Sequence, residues 1–360
     1  MTAPAVLACV AVALAAHGCD YARRTAVDPG DSPAVDAAVD AATCSNGTRR
    51  CAGNVVTECH DAQWVAIESC DSYCGGDACV NPPSCGGGAA TCGPAATDPC
   101  CRSLAVPGGM FSRSYDGVSP TFTDSRYHAT VSSFHLDKYA VTAARFQAFV
   151  DAYPADQPTV GAGRNPHDAG DPGWLPEWTT QLPATRAALV VDLGCSGSPQ
   201  VSVSAVRCVS WVIAQAFCIW DGGRLPTEAE WNYAAAGGNE QRVYPWSSPP
   251  ASTAITGAQA IYAATAPDRP GTRSPAGDGR WGHADLAGNV WEWVYDYYAT
   301  PYPTTTCVDC ANYTVSQFRV NRGGSYANTA AAVITSIRGA SSQTLPDKTI
   351  GFRCARNPTP

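Results

Sequence analysis

Apolar residues along this chain recur at spacings that predict few regular elements and long stretches of loop. Residues 130–139 alternate apolar and polar well enough for one strand. Thr142 then caps a helix whose Phe146, Phe149, Val150 and Tyr153 share a face. Residues 154–200 are rich in Pro, Gly and Trp, show no period and read as loop. Ser210 opens a second helix with Ala214, Phe217 and Cys218 on its buried side, and Gly222-Gly223 ends it. Thr227-Glu228-Ala229-Glu230 is a capping box for a third helix running to Gly237-Gly238, with Leu225 or Pro226 placed to pack near Trp231. Short strands and loops follow. The expected class is α+β, irregular and sparse in regular elements for its length.

The N-terminal third has a different texture. Residues 5–16 form an apolar run ending in small residues, the pattern of an export leader and too short to span a membrane. Ala16-His17-Gly18-Cys19 reads as a lipoprotein cleavage box, which makes Cys19 the expected lipid-bearing residue. The box departs from the usual pattern in having Ala16 where a larger aliphatic residue is common, and no Lys or Arg precedes the run. Plain secretion, or a wrongly assigned start codon, is the alternative. The chain is thus expected in a bacterial cell envelope, touching a membrane only through its lipid. The Ala, Asp, Val and Pro of residues 21–43 offer too little apolar bulk to offset ordering entropy, and this stretch reads as a flexible stalk.

Six cysteines between Cys44 and Cys79 sit in a segment too short for a proper core, so covalent staples must supply its stability. Cys85, Cys92, Cys100 and Cys101 continue into a Gly/Pro-rich connector. The expected organisation is a signal peptide at 1–18, a lipid-anchored linker at 19–43, a disulfide module at 44–80, a Cys-rich connector at 81–105 and one large domain at 106–357. Of 18 cysteines in all, removing Cys9 with the leader and lipidating Cys19 leaves an even set. Disulfides suit an exported chain. Zinc is the rival reading, but Cys307/Cys310 is the one Cys-x-x-Cys, with no second pair at finger spacing.

Charge removes another class of function. The net charge is -8 and no Lys/Arg run exceeds a pair, so a nucleic-acid partner, which would need a basic face to neutralise phosphates, is not expected. No Gly-x-Ser-x-Gly elbow, phosphate loop or dinucleotide fingerprint occurs.

Four signatures carry more information. They are Gly222-Gly223-Arg224-Leu225-Pro226-Thr227-Glu228-Ala229-Glu230-Trp231, Gly288-Asn289-Val290-Trp291-Glu292-Trp293, Arg322-Gly323-Gly324-Ser325-Tyr326 and Gly351-Phe352-Arg353-Cys354. Each has a plain structural role: helix capping by Thr227 and Glu230, unusual backbone geometry at Gly323-Gly324, core packing by the tryptophans. Glu228 and Glu230 suit capping and surface positions better than an acid/base pair. As an ordered set, however, the signatures resemble the formylglycine-generating (sulfatase-modifying factor) enzyme family over roughly residues 106–356. The resemblance implies that family's irregular fold, a variant of the C-type lectin fold.

It also implies site residues. Asp285 and Glu292 enclose a glycine turn offering hard oxygen donors, and by themselves they suit either calcium or a helix start capped by Asp285. The family binds calcium here through positions matching Asp285, Gly288, Val290 and Glu292. A second family calcium site is doubtful here: near Ala260-Ile261 its Asn is missing, with Asp268 as the remaining carboxylate. Trp291 and Ser325 match positions lining the substrate pocket, so a groove for a peptide, glycan or protein partner is expected there. Cys218 and Cys354 match a family disulfide; Cys195 with Cys208 and Cys307 with Cys310 are the expected remaining pairs.

Catalysis is where the match breaks. The aerobic family enzymes bind copper through two cysteines that fall here at Asn328 and Val333. Asn is a poor ligand for a soft metal and Val is none, so copper is not expected and the catalytic residues are unassigned. Relatives that make sulfoxides hold iron with a His, His, Glu set, but His17, His60, His128, His135, His167 and His283 form no His-x-x-x-His-x-Glu run. The reading is a binding or repurposed envelope module. An oxidase acting on a cysteine in sulfatase-type substrates, and a structural protein interacting through its Cys-rich module, are the alternatives.

Overall fold

A computed structural model describes residues 44–86, 91–196 and 200–357 of the protein. The expected leader, the stalk and the Cys19 lipidation site lie outside the described residues. Among the described residues no helix is long and apolar enough to cross a membrane.

The first segment folds around its disulfides. Strands Arg49–Ala52, Val55–His60 and Gln63–Ser69 form a meander, Tyr73–Gly75 pairs with Ala78–Val80, and the buried cluster is little more than Val56, Cys70 and Cys74. Cys44–Cys59, Cys51–Cys74 and Cys70–Cys79 close it, and Cys85–Cys101 and Cys92–Cys100 close the connector. The connector is built into the large domain: Cys92 and Cys100 pack with Tyr139 and Ala284. The domain's first strand, Ser103–Val106, begins inside what the sequence assigns to the connector, and pairs with Phe134–Asp137.

A fully buried ring of charges fixes this junction. Arg145 reaches Asp137 (3.0 Å) and Asp221 (2.7 Å), and Arg356 reaches the same two carboxylates. Ser84 donates its amide to Asp221 and Ser103 its hydroxyl to Asp137. Two cations against two anions leave no net buried charge, the condition under which such a cluster is tolerated in a core.

Helices Ala143–Ala152, Trp211–Trp220 and Glu228–Ala236 stand where the sequence places them, with Thr142, Ser210 and Thr227 each accepting an amide hydrogen bond as N-cap. Both halves of the Thr227/Glu230 capping box are formed, and Gly237 ends the helix at φ +67°. Two expectations fail. Residues 130–139 are two strands, His128–Val131 and Phe134–Asp137, in different sheets, because Asp309 captures the Ser132 amide (2.5 Å) and hydroxyl (2.8 Å) and turns the chain between them. Residues 154–200 contain helices Pro176–Thr179 and Arg186–Asp192, the second capped by Thr185; one and two turns are too short to show a period.

The main sheet has the order Gly339–Ser342, Phe318–Arg322, Trp291–Tyr297, Ile350–Phe352. Trp211–Trp220 is buried nearly all round and packs on it, with Trp211 Nε1 donating to the Val294 carbonyl (2.8 Å) and Trp293 Nε1 to that of Val209 (2.8 Å). The largest core cluster forms between them.

Candidate functional site

The four signatures, far apart in sequence, meet at one place. Residues 285–290 turn sharply, with Asp285, Gly288 and Asn289 all at positive φ. Only glycine fits at Gly288, where a Cβ would run into the Ile261 backbone. The turn is knitted to the third signature: Gly288 donates to the Gly323 carbonyl (2.9 Å) and Tyr326 to that of Asn289 (2.8 Å). A side chain at Gly324, φ +73°, would overlap the Ala332 carbonyl and Val333. Glu292 ties in the other two signatures. Its carboxylate takes Arg353 side-on (Nε 2.7 Å, NH2 2.7 Å) and the Trp231 indole N–H (2.7 Å).

Those bonds bear on the expected calcium ligands. Glu292 already has a bidentate guanidinium as counter-ion. Asp285 accepts the Gly271 amide (2.6 Å) and has no ion pair among the described residues; burial pushes its carboxyl up to about 6 against the Gly271 hydrogen bond. No three His, Cys, Asp or Glu side chains converge as a metal cluster among the described residues. The segment therefore fits a calcium ion in donor type, hard oxygen, with Asp285 as its one uncompensated carboxylate. Asp268, the one carboxylate left at the second family site, which the sequence does not predict, is exposed and its backbone is held by Asn289.

Ser325 and Trp291 differ in access. Trp291 is half-buried against the main core, whereas Ser325 is buried and its hydroxyl and amide both donate to Asn328 Oδ1 (2.8 and 2.9 Å). Val333 is fully buried with Val243, Tyr244, Ala287 and Ile334. The two positions that would bear copper thiolates thus hold an amide closing its own turn and an apolar core side chain. All 16 cysteines of the described residues are paired, including Cys195–Cys208, Cys218–Cys354 and Cys307–Cys310.

Glu228 corrects the surface role read from sequence. It is 2% exposed and is the hub of a second buried network. Its carboxylate accepts Arg322 NH2 (2.6 Å), Arg338 Nε and NH2 (2.6 and 2.8 Å) and the Tyr302 hydroxyl (3.1 Å). Burial opposes ionisation here, but Arg338 and Arg322 outweigh it and hold the carboxyl down at about 2. Asp296, which accepts the Glu228 and Asn312 amides, goes the other way: burial and the Glu228 charge push it up to about 7. Glu230 is also buried, on Arg224. Glu228 is therefore a permanently engaged anion, unsuited to moving protons near neutral pH.

Two clefts open elsewhere. One of about 330 Å³ lies over Gly222-Gly223 and Arg224, and one of about 850 Å³ lies between Met110, His128, Gln241 and Cys307. Neither is lined by Trp291 or Ser325. His128 is exposed on the rim of the larger cleft, and His135 is buried.

Comparison with known proteins agrees with this convergence of signatures. The sequence profile of the sulfatase-modifying factor enzyme 1-like domain matches residues 89–358. The formylglycine-generating enzyme of Streptomyces coelicolor is 32% identical over 314 residues, covering 75% of this chain and 94% of that protein. An inactive C-alpha-formylglycine-generating enzyme 2 from Bos taurus is 30% identical over 275 residues, covering 69% of this chain and 86% of that protein. Among solved structures, PvdO from Pseudomonas aeruginosa shares the fold with a TM-score of 0.51 at 19% identity, over 71% of this chain and 94% of that one. The chain belongs to the sulfatase-modifying factor, or formylglycine-generating enzyme-like, family.

Proposed function

We propose that the protein is a cell-envelope lipoprotein whose sulfatase-modifying factor domain is a binding module rather than a copper oxidase. The observation that carries this reading is the pair Asn328 and Val333: the first closes its own turn on Ser325, the second fills an apolar cluster. Thiolates suit Cu(I) and activate oxygen through it; an amide and an isopropyl group offer nothing comparable. A relative described as inactive, at 30% identity, supports a family member without that chemistry. The ligand reading follows Trp291, half-buried against the main core, as the contact surface for a peptide or glycan.

Calcium is proposed at Asp285, with Glu292 and the Gly288 and Val290 carbonyls as the other donors. It would act structurally, holding the 285–290 turn against the Gly323-Gly324 segment.

A Cu(I) titration against a competing chelator tests the central point. The native protein is expected to take up no stoichiometric copper, and the double variant Asn328→Cys/Val333→Cys is expected to gain affinity. Stoichiometric tight copper in the native protein, lost in Cys307→Ala/Cys310→Ala, would place the metal at a relocated thiol pair and restore the oxidase reading.

A further inference from the structure

Cys307–Cys310 differs from the other disulfides in three ways. In each of the other seven among the described residues at least one cysteine is buried, whereas here neither is. Its loop is the shortest, a sequence separation of 3, so it constrains the unfolded chain least and is the poorest structural staple. Arg113 NH1 points at Cys310 Sγ from 3.6 Å.

Arg113 is 4% exposed and forms no ion pair among the described residues. Its other hydrogen bonds go to the carbonyls of Thr304 (2.7 Å) and Tyr127 (3.4 Å), and its face lies over the Tyr302 ring at 4.4 Å. A buried guanidinium without a carboxylate is costly, and a thiolate at Cys310 would be its missing counter-ion. The nearby Asp309 carboxylate is turned to the Ser132 amide and hydroxyl instead.

The surroundings supply a place for a partner. Cys307 lies on Thr306–Val308, an edge strand paired on one side only, with His128–Val131. It also lines the cleft of about 850 Å³, together with Met110, Phe111, Ala129 and Val308. Met110 and Val308 are largely exposed, at 71% and 68%. An open strand edge beside apolar side chains suits an extended polypeptide.

We propose that Cys307–Cys310 is a thiol–disulfide exchange site whose partner is an extended polypeptide carrying two cysteines. The partner's thiolate attacks Cys307 Sγ, the Cys307–Cys310 bond breaks, and Cys310 leaves as a thiolate beside Arg113. The partner's second thiol, its proton released to solvent, then attacks the mixed disulfide; the partner leaves oxidised and the Cys307 thiolate takes up a proton. Two electrons pass from the partner to the protein. A small-molecule disulfide restores Cys307–Cys310, and the same steps run backwards when an oxidised partner meets the reduced pair.

Native full-length protein equilibrated in glutathione redox buffers, acid-quenched, alkylated and peptide-mapped tests this. Cys307 and Cys310 are expected to open together while Cys218–Cys354 stays closed. A reduced two-cysteine peptide is expected to be oxidised in amounts equal to the thiols formed at Cys307 and Cys310. Offered the oxidised peptide, Cys310→Ser is expected to hold it as a mixed disulfide at Cys307. Arg113→Met is expected to slow exchange at least about threefold, because the leaving thiolate loses its cation. Should that variant not fold, the trapping experiment decides by itself. A Cys307–Cys310 pair as resistant as Cys218–Cys354, or one that opens without forming a mixed disulfide with peptide, would overturn the proposal.

Discussion

Glu228→Gln removes the charge at the centre of the Arg322/Arg338 network while keeping its shape. Both guanidiniums would be left facing a neutral amide, Arg322 completely buried and Arg338 nearly so. Glu228 has its carboxyl lowered from 4.5 to about 2. A folded-state value below the unfolded one means the contribution is complete above pH 4.5 and is lost as pH falls towards 2. Its size is about 3 kcal/mol by linkage, at the low end of the roughly 3–5 kcal/mol for breaking a buried ion pair. Asp296 offsets part of this: with the Glu228 charge gone it ionises more readily in the folded protein, which returns some stability near neutral pH. The net expectation is a loss of about 2–3 kcal/mol at pH 7, shrinking below about 1 kcal/mol near pH 2. Denaturant unfolding with disulfides intact, run for both proteins from pH 7 to pH 2, measures the gap. A variant within about 0.5 kcal/mol of wild type at pH 7, or a gap that does not change with pH, would refute the assignment of Glu228 as an ionised hub.

Three further outcomes follow from the same structure. Cys218→Ala/Cys354→Ala opens a loop of 136 residues and should cost about 5 kcal/mol on the chain-entropy account, against about 2 kcal/mol for Cys307→Ala/Cys310→Ala, measured by denaturant unfolding. Calcium should raise the melting temperature in a concentration-dependent way, and Asp285→Gly, which keeps the positive φ but removes the carboxylate, should abolish that rise. Thr227→Ala removes the side-chain acceptor of the capping box and should cost about 1 kcal/mol in thermal unfolding, with no effect on ligand binding at Trp291.

The parts of this molecule that sequence discloses are those whose causes are local. The Thr227/Glu230 capping box is a relation between residues three apart, and it forms as read. The tryptophans split as their neighbours decide: Trp231 and Trp293 are fully buried, but Trp291, two positions from Trp293 on the same strand, is only half-buried. What sequence hides is partnership over distance. Nothing around Glu228 announces Arg322 and Arg338, 94 and 110 residues downstream, and a glutamate in the first turn of a helix reads by default as a solvated one. The break at Ser132 is set by Asp309, 177 residues away, so residues 130–139 read as one strand. The Arg113–Cys310 contact spans 197 residues and leaves no trace in the spacing of the motif. Which residues stand at 328 and 333 is itself sequence, but that Asn328 closes its turn on Ser325 and Val333 fills an apolar cluster is not.

The most direct test of the account supplies the protein with copper, a thiol reductant, oxygen and a peptide bearing a Cys-x-Pro-x-Arg motif, and follows peptide mass beside an active formylglycine-generating enzyme as control. With Asn328 and Val333 in place of thiolates, the peptide mass is predicted to stay unchanged while the control converts its cysteine to the aldehyde. Aldehyde formation by this protein would contradict the account and require a metal centre built from other residues.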